Sequence, residues 1–209
     1  MYTTHSKESL DYFKENSDSF VDYHDGFKNQ VKKWPKNPVD IFITELKKPK
    51  YNGMVIADLG CGEGKLELEI KKHDETRVVH SYDIGKIAPH VHQVDIANLP
   101  LEKESLDVAV FSLSLMSTNF LDMLIEANNK LKEGGLLFVA EVSSRLDIKK
   151  FVMLLGLMGF VKRKVGQIET YFYIMIFEKQ KGVSRKQAKK LAKRVDPSEY
   201  LTPCRYKKR

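Results

Sequence analysis

Residues 57–70 read ADLGCGEGKLELEI. Three glycines, Gly60, Gly62 and Gly64, fall within five residues, between an apolar run ending at Leu59 and a helix-like run beginning at Lys65. A short strand, a glycine turn and a helix form the unit that opens many nucleotide-binding α/β sheets. Glycines in such a turn let backbone N–H groups approach a bound molecule with no Cβ in the way.

The pattern continues on both sides. Met54–Leu59, Val78–Asp83, Val91–Val94, Leu106–Leu115 and Leu136–Val142 read as strands. Lys65–Lys72, Phe120–Leu131 and Asp147–Met158 read as the helices between them, the second closed by Gly134-Gly135. The strands are apolar throughout rather than alternating, so both faces of the sheet are covered. Strands alternating with helices predict a mostly parallel, doubly wound α/β sheet. Phe160–Val165 and Tyr171–Phe177 close it as an antiparallel pair about a Gly166 turn. Ahead of the sheet, residues 6–22 read as one helix and Asp25-Gly26 as a turn. A further helical run stops at Pro35, and Asn37 caps a new helix with Pro38 at its first position. Three segments are expected: a helical prelude, 1–52, packing on the core; the core, 53–180; and a basic tail, 181–209.

Composition narrows the partners. The chain has 209 residues and a formal net charge of +7. From Lys179 to the end, twelve Lys or Arg stand against Asp196 and Glu199, a net of about +10. A basic tail on a near-neutral body points to a polyanion such as nucleic acid. The longest apolar run, Phe151–Val161, has eleven residues, too few to span a bilayer. The first residues, MYTTHSKESLDYF, carry no secretory pattern. Cys61 and Cys204 stand far apart in unlike contexts, giving neither a disulfide framework nor a zinc spacing. His90 and His92 share a strand face with nothing nearby to complete a metal site. A reducing compartment, no membrane and no metal are expected.

Three ligands compete for the turn. A nucleoside triphosphate loop needs a hydroxyl after its lysine, and Leu66 follows Lys65. A dinucleotide turn needs its third glycine where Lys65 stands. S-adenosylmethionine fits best: Asp58, Gly60, Gly62 and Gly64 occupy every fixed position of its usual acidic glycine turn. Asp83, closing the second strand, is placed to take both ribose hydroxyls, since a carboxylate accepts two hydrogen bonds. Asp95 is placed to reach the adenine amino group, and Ile96 to offer its N–H and an apolar side chain to the ring. Ser112–Ser114 end the fourth strand beside the reacting sulfur. Blander roles stand beside these: Asp58 anchoring the loop, Asp95 capping a turn, Cys61 filling a small space, Asn119 capping a helix.

The stretches YHDGFKNQVKKWPKNPVD (23–40), ADLGCGEGKL (57–66), PLEKESLDVAVFSLSLMSTN (100–119) and LKEGGLLFVAEVSSR (131–145) resemble the nucleolar ribosomal-RNA-processing methyltransferases, the nucleomethylin-like family. The ending LTPCRYKKR resembles that family's terminus. The resemblance implies a Rossmann-like class I S-adenosylmethionine-dependent methyltransferase, with a mostly parallel seven-stranded sheet and an antiparallel last strand. It implies methylation of N1 of an adenine in large-subunit ribosomal RNA, in the nucleolus of the nucleus. Its cofactor contacts carry over to His24, Gly60, Gly62, Asp83, Asp95, Ile96 and Ser112. The target pocket would be shaped by Ser112, Ser114, Met116 and Asn119, with Lys32 and Lys33 near the entrance. Partners would be ribosomal RNA or a pre-ribosomal particle, with the chain a monomer. A non-catalytic S-adenosylmethionine-binding adaptor is the alternative. Glu63-Gly64 departs from the family's Asp plus small residue, and Ser112 stands where relatives can carry cysteine. The family often has a long basic or disordered N-terminal extension, and this sequence begins at the domain edge.

Overall fold

The computed structural model describes residues 4–180, 185–192 and 194–202. Cys204 and the rest of the ending after Thr202 lie outside them.

Two helices begin where one was expected over 6–22. Helix α1 is Ser6–Glu15 and α2 is Ser17–Val31. The break falls at Asn16, whose backbone N–H and side-chain amide both donate to Tyr12 O at 2.9 Å. Those two donors close α1 locally. The expected turn at Asp25-Gly26 is absent, because α2 runs through it. A helical glycine costs only about 1 kcal/mol. On α2, Phe20, Tyr23, His24 and Phe27 stand three and four apart, so their rings meet on one face. Helix α3, Pro38–Leu46, begins as the sequence predicts, with Asn37 Oδ1 accepting from Val39 N–H.

The sheet strands are β1 Ile56–Leu59, β2 Val79–Asp83, β3 Val91–Gln93, β4 Leu106–Ser112, β5 Leu131–Val142, β6 Phe160–Ile168 and β7 Phe172–Lys179. Helices α4 Lys65–His73, α5 Phe120–Lys130 and α6 Ile148–Leu157 connect them, and α7, Arg185–Ala192, follows. The order is β3-β2-β1-β4-β5-β7-β6. The first five pair in parallel, and β7 lies antiparallel to both β5 and β6. Strand order reverses between β1 and β4, which puts a crevice at the carboxyl end of β1.

Each central strand is buried on both faces. Ile56, Val108, Val110 and Phe138 pack with Phe42, Leu46, Leu66 and Ile70 of α3 and α4. Leu59, Phe111, Leu137 and Val139 pack on α5 and α6 through Leu124, Phe151 and Leu154. Burying each of these side chains contributes roughly 1.5–3 kcal/mol. A third cluster, Leu10, Phe13, Phe20 and Ile84, seats α1 and α2 on the loop after β2.

Two turn assignments differ from the sequence reading. Gly134-Gly135 does not close α5. The helix ends at Lys130, and Leu131, fully buried, pairs at once with Leu106. The register then jumps to Val108↔Leu136, and Gly134, at φ +77°, carries the resulting bulge. Gly166 lies inside β6 opposite Ile174, and the hairpin turns instead through Glu169, at φ +48°. The described part of the basic tail is docked: Leu191, Val195 and Tyr200 pack on the α5/α6 core, and Leu201 is buried.

Candidate functional site

The glycine turn leaves β1 at the switch point, as its sequence demanded. Gly60 and Cys61 N–H both donate to Tyr82 O, at 2.8 and 3.1 Å. Gly60 has φ +82° and Gly62 φ +58°, a region that costs other residues strain. Space excludes side chains as well. A Cβ on Gly60 would overlap Ser114, and one on Gly62 would overlap the His24 imidazole. The turn is therefore clamped between the end of β4 and helix α2.

A cavity of about 360 Å³ opens over this turn. His24, Gly60, Gly62, Asp83, Ile96, Ser112 and Ser114 all line it, and so does Met116. Asp83 is the best-held group. Its Oδ2 accepts from Gly62 N–H at 2.7 Å and its Oδ1 from Ile84 N–H at 2.7 Å. Burial pushes its carboxyl up to about 6, against the pull of these N–H groups and that of Gly85. Asp58 also faces the cavity rather than merely anchoring the loop. It is pushed up to about 7 by burial, with the charges of Asp83 and Glu67 adding to the shift. Two nearly buried carboxyls beside an apolar cavity are a setting that favours a cationic ligand. Glu67, behind them, takes Ser81 Oγ–H at 2.7 Å and pairs with Lys71.

Helix α2 supplies the outer wall through Phe20, Tyr23, His24, Phe27, Lys28 and Val31. Tyr23 Oη–H reaches Met116 Sδ at 3.3 Å. The turn after α2 is tied to the sheet by Trp34 edge-on to Phe172, centroids 4.9 Å apart. His24 Nδ1 is buried with no hydrogen-bond partner among the described residues. Burial lowers the His24 pKa, so the ring is neutral at pH 7. Lys32 lines the cavity as expected; Lys33 is not among its lining residues.

Two residues expected in the site lie outside the cavity lining. Asn119 Oδ1 accepts from Ser6 N–H at 2.9 Å and its Nδ2 donates to Ser6 Oγ at 2.8 Å. It fastens α1 to the start of α5, outside the cavity, and its side chain does not cap α5. Asp95 is outside the cavity lining too; its Oδ1 accepts from Ala97 N–H at 3.0 Å, starting the short turn Ile96–Asn98. That bond carries Ile96 into the cavity wall. Cys61 is half-buried and its thiol is held well above the ordinary range by burial, which makes it an inert packing group. Leu113 was not anticipated. It takes φ +60° between Ser112 and Ser114, a strained conformation for leucine that bends the chain into the site.

Sheet order, glycine turn and acidic β2 end together define a class I methyltransferase fold. Solved structures agree on the fold. A Burkholderia thailandensis 1,6-didemethyltoxoflavin-N1-methyltransferase, with S-adenosylhomocysteine bound, matches 78% of this chain and 86% of its own at TM-score 0.62 and 16% identity. The [4+2]-cyclase SpnF matches 69% and 80% at TM-score 0.58 and 16% identity, so the fold alone does not fix the reaction.

Over residues 1–209 the chain matches the model of a family described as hypothetical methyltransferase, and it belongs to that family. Among curated relatives, Ribosomal RNA-processing protein 8 of Dictyostelium discoideum is 45% identical, covering all of this chain and 55% of that protein. The 25S rRNA (adenine(645)-N(1))-methyltransferase of Schizosaccharomyces pombe is 44% identical over 86% of this chain and 59% of that protein. Ribosomal RNA-processing protein 8 of Mus musculus is 41% identical, with 44% of its length covered. The chain thus spans about half the length of these relatives.

Proposed function

We propose that the cavity binds S-adenosylmethionine and that the chain methylates N1 of an adenine in large-subunit ribosomal RNA, acting as a monomer on RNA or a pre-ribosomal particle in the nucleolus. The observation that carries the reading is Asp83, a buried carboxylate fixed by two backbone N–H groups at the switch point. Each of its oxygens keeps a lone pair for a ribose hydroxyl. The relatives named for adenine-N1 methylation in ribosomal RNA support the choice of acceptor.

The residues fit the cofactor. Gly60 and Gly62 let the turn pack closely against Ser114 and His24 while both glycines line the cavity. Asp58 suits the ammonium group of the amino acid tail, and Ile96 gives an apolar face for a purine. The buried, unpartnered Nδ1 of His24 offers one further polar contact. Bound S-adenosylmethionine supplies an electrophilic methyl group on a sulfonium.

The chain's own part is positional. Adenine N1 has a lone pair at neutral pH, so no strong base is needed. Holding the reacting atoms in line supplies roughly 7–11 kcal/mol. The Ser114 hydroxyl already donates to Leu59 O at 2.5 Å, so toward the cavity it acts as an acceptor only. An acceptor suits a ring that becomes cationic on methylation. Phe20, Tyr23 and Phe27 of α2, with Met116, line the cavity with apolar surface. N1 lies on the pairing edge, so the adenine must arrive unpaired or flipped. Lys186, Lys189, Lys190 and Arg194, all exposed, would hold phosphates.

The test is methyl transfer from labelled cofactor to large-subunit ribosomal RNA, with nucleoside mass spectrometry. N1-methyladenosine should appear. Cofactor binding with unmodified RNA would leave the adaptor role.

A further inference from the structure

We infer that the acceptor base sits in a second groove, completed by the C-terminal segment Asp196–Leu201 and held open by the buried Glu141–Arg145 ion pair. This deepens the methyl-transfer reading above and rests on it. The groove has a volume of about 230 Å³ and opens beside the cofactor cavity. Met116 and Ser117 line both, so the two spaces share a wall. It lies below the size of a pocket for a drug-sized ligand, roughly 300–1,000 Å³, and suits one flat heterocycle. Thr118 and the ring of Phe120 line one side, Pro197 and Ser198 the other.

Both walls hang from the same two side chains. Glu141, fully buried at the end of β5, accepts from Leu115 N–H at 3.3 Å and from Arg145 Nη1–H at 2.8 Å. Arg145 Nη2–H donates to Leu115 O at 3.1 Å, and Nε–H to Thr202 O at 2.9 Å. Thr202 N–H returns a bond to Arg145 O at 2.8 Å, and Leu201 bridges Leu146. The guanidinium therefore joins the loop after β4 to the C-terminal segment. Three of its five N–H donors are committed to these partners, and through them it acts as a positioning residue. The outer wall is itself pre-shaped: Asp196 Oδ1 accepts from Ser198 N–H at 2.9 Å and from Ser198 Oγ–H at 2.8 Å.

Charge selects single-stranded nucleic acid as the occupant. Exposed Lys186, Lys189 and Lys190 on α7, and Arg194 after it, precede this wall in the chain. A strand whose phosphates follow them would present a base at the groove, a cationic track beside a ring-sized slot. The cofactor cavity has its outer wall in α2, so the C-terminal side is the one left for the acceptor.

The test uses the full chain. Ser198→Trp places an indole in the groove at an exposed position, with Ser198→Ala as the control for the lost hydroxyl. Ser198→Trp should lower kcat/KM for RNA methylation by roughly 10–200-fold, as steric misfit does. Its affinity for S-adenosylmethionine and its melting temperature should match the wild type, and Ser198→Ala, which removes a hydroxyl and adds no bulk, should lose less than Ser198→Trp. Arg145→Lys keeps the charge beside Glu141 and cannot bridge both carbonyls; it should raise KM for RNA and leave cofactor affinity unchanged. Wild-type methylation of RNA by Ser198→Trp overturns the groove and leaves the enzyme reading standing. A wild-type chain that binds cofactor and leaves RNA unmodified overturns the enzyme reading, and the groove with it.

Discussion

Gly62 and His24 belong to segments far apart in the chain, and Gly62→Ala measures what their contact is worth. Two effects add. At φ +58° a Cβ costs roughly 1–2 kcal/mol in backbone strain. The same Cβ would fall inside the His24 imidazole, an overpacking that costs about 1–3 kcal/mol. The ring cannot simply step aside, because Phe20 and Phe27 hold it edge-on, with centroids 5.6 and 5.8 Å away. Helix α2 must move outward instead, and with it the outer wall of the cavity. Total destabilisation should be about 2–5 kcal/mol. In a His24→Ala background the clash is gone and only the strain remains. The coupling between the two substitutions should then be about 1–3 kcal/mol, or roughly 5–150-fold in an equilibrium constant. Urea unfolding of the four proteins gives this number. Calorimetric titration with S-adenosylmethionine should show cofactor affinity falling in Gly62→Ala and partly recovering in the double variant. Additivity within about 0.5 kcal/mol would refute the proposed clamp of α2 on the turn.

Asp83→Ala removes the proposed ribose acceptor. Hydrogen bonds to a charged group contribute about 1.5–3 kcal/mol each, so cofactor affinity should drop at least tenfold; an unchanged dissociation constant would remove the assignment. Asp58 and Asp83 titrate in the fold at about 7 and about 6, above the roughly 3.9 of an unfolded aspartate. The folded chain therefore binds more protons than the unfolded one across that window, and the stability these groups give is lost as pH rises from about 4 to about 7. Asp58→Asn should accordingly gain on the wild type in unfolding free energy between pH 5 and pH 8, and a constant difference would contradict the shift. Arg145→Met leaves Glu141 buried without its cation and should cost about 3–5 kcal/mol in urea unfolding. Adding Glu141→Gln should return part of that loss.

What the sequence disclosed was local. The glycine turn, Asp83 and Ile96 act within a few residues of a strand end, so spacing along the chain carried their geometry. Helix α2 did not disclose itself. Asp25-Gly26 has the chemistry of a turn, and Phe20, Tyr23 and Phe27 are equally suited to a core; only the ligand-sized space beneath them gives them a site. His24 came from the resemblance, since a lone histidine on such a helix carries no spacing signal. The bonds between Asn119 and Ser6 were not legible, because the two lie 113 residues apart. Asp95 admitted two local readings, and its bond to Ala97 N–H is the turn cap. The tail's composition pointed to a polyanion and gave no sign of packing on the core. Its docking depends on Arg145 and Thr202, 57 residues apart, a pairing no periodicity encodes.

A crystal of the chain grown with S-adenosylhomocysteine tests the account at its centre. The ribose hydroxyls should lie on the Asp83 carboxylate, the adenine against Ile96, and the amino acid tail along Gly60 toward Asp58. A cavity that stays empty at saturating ligand, or a ribose bound away from Asp83, would contradict it.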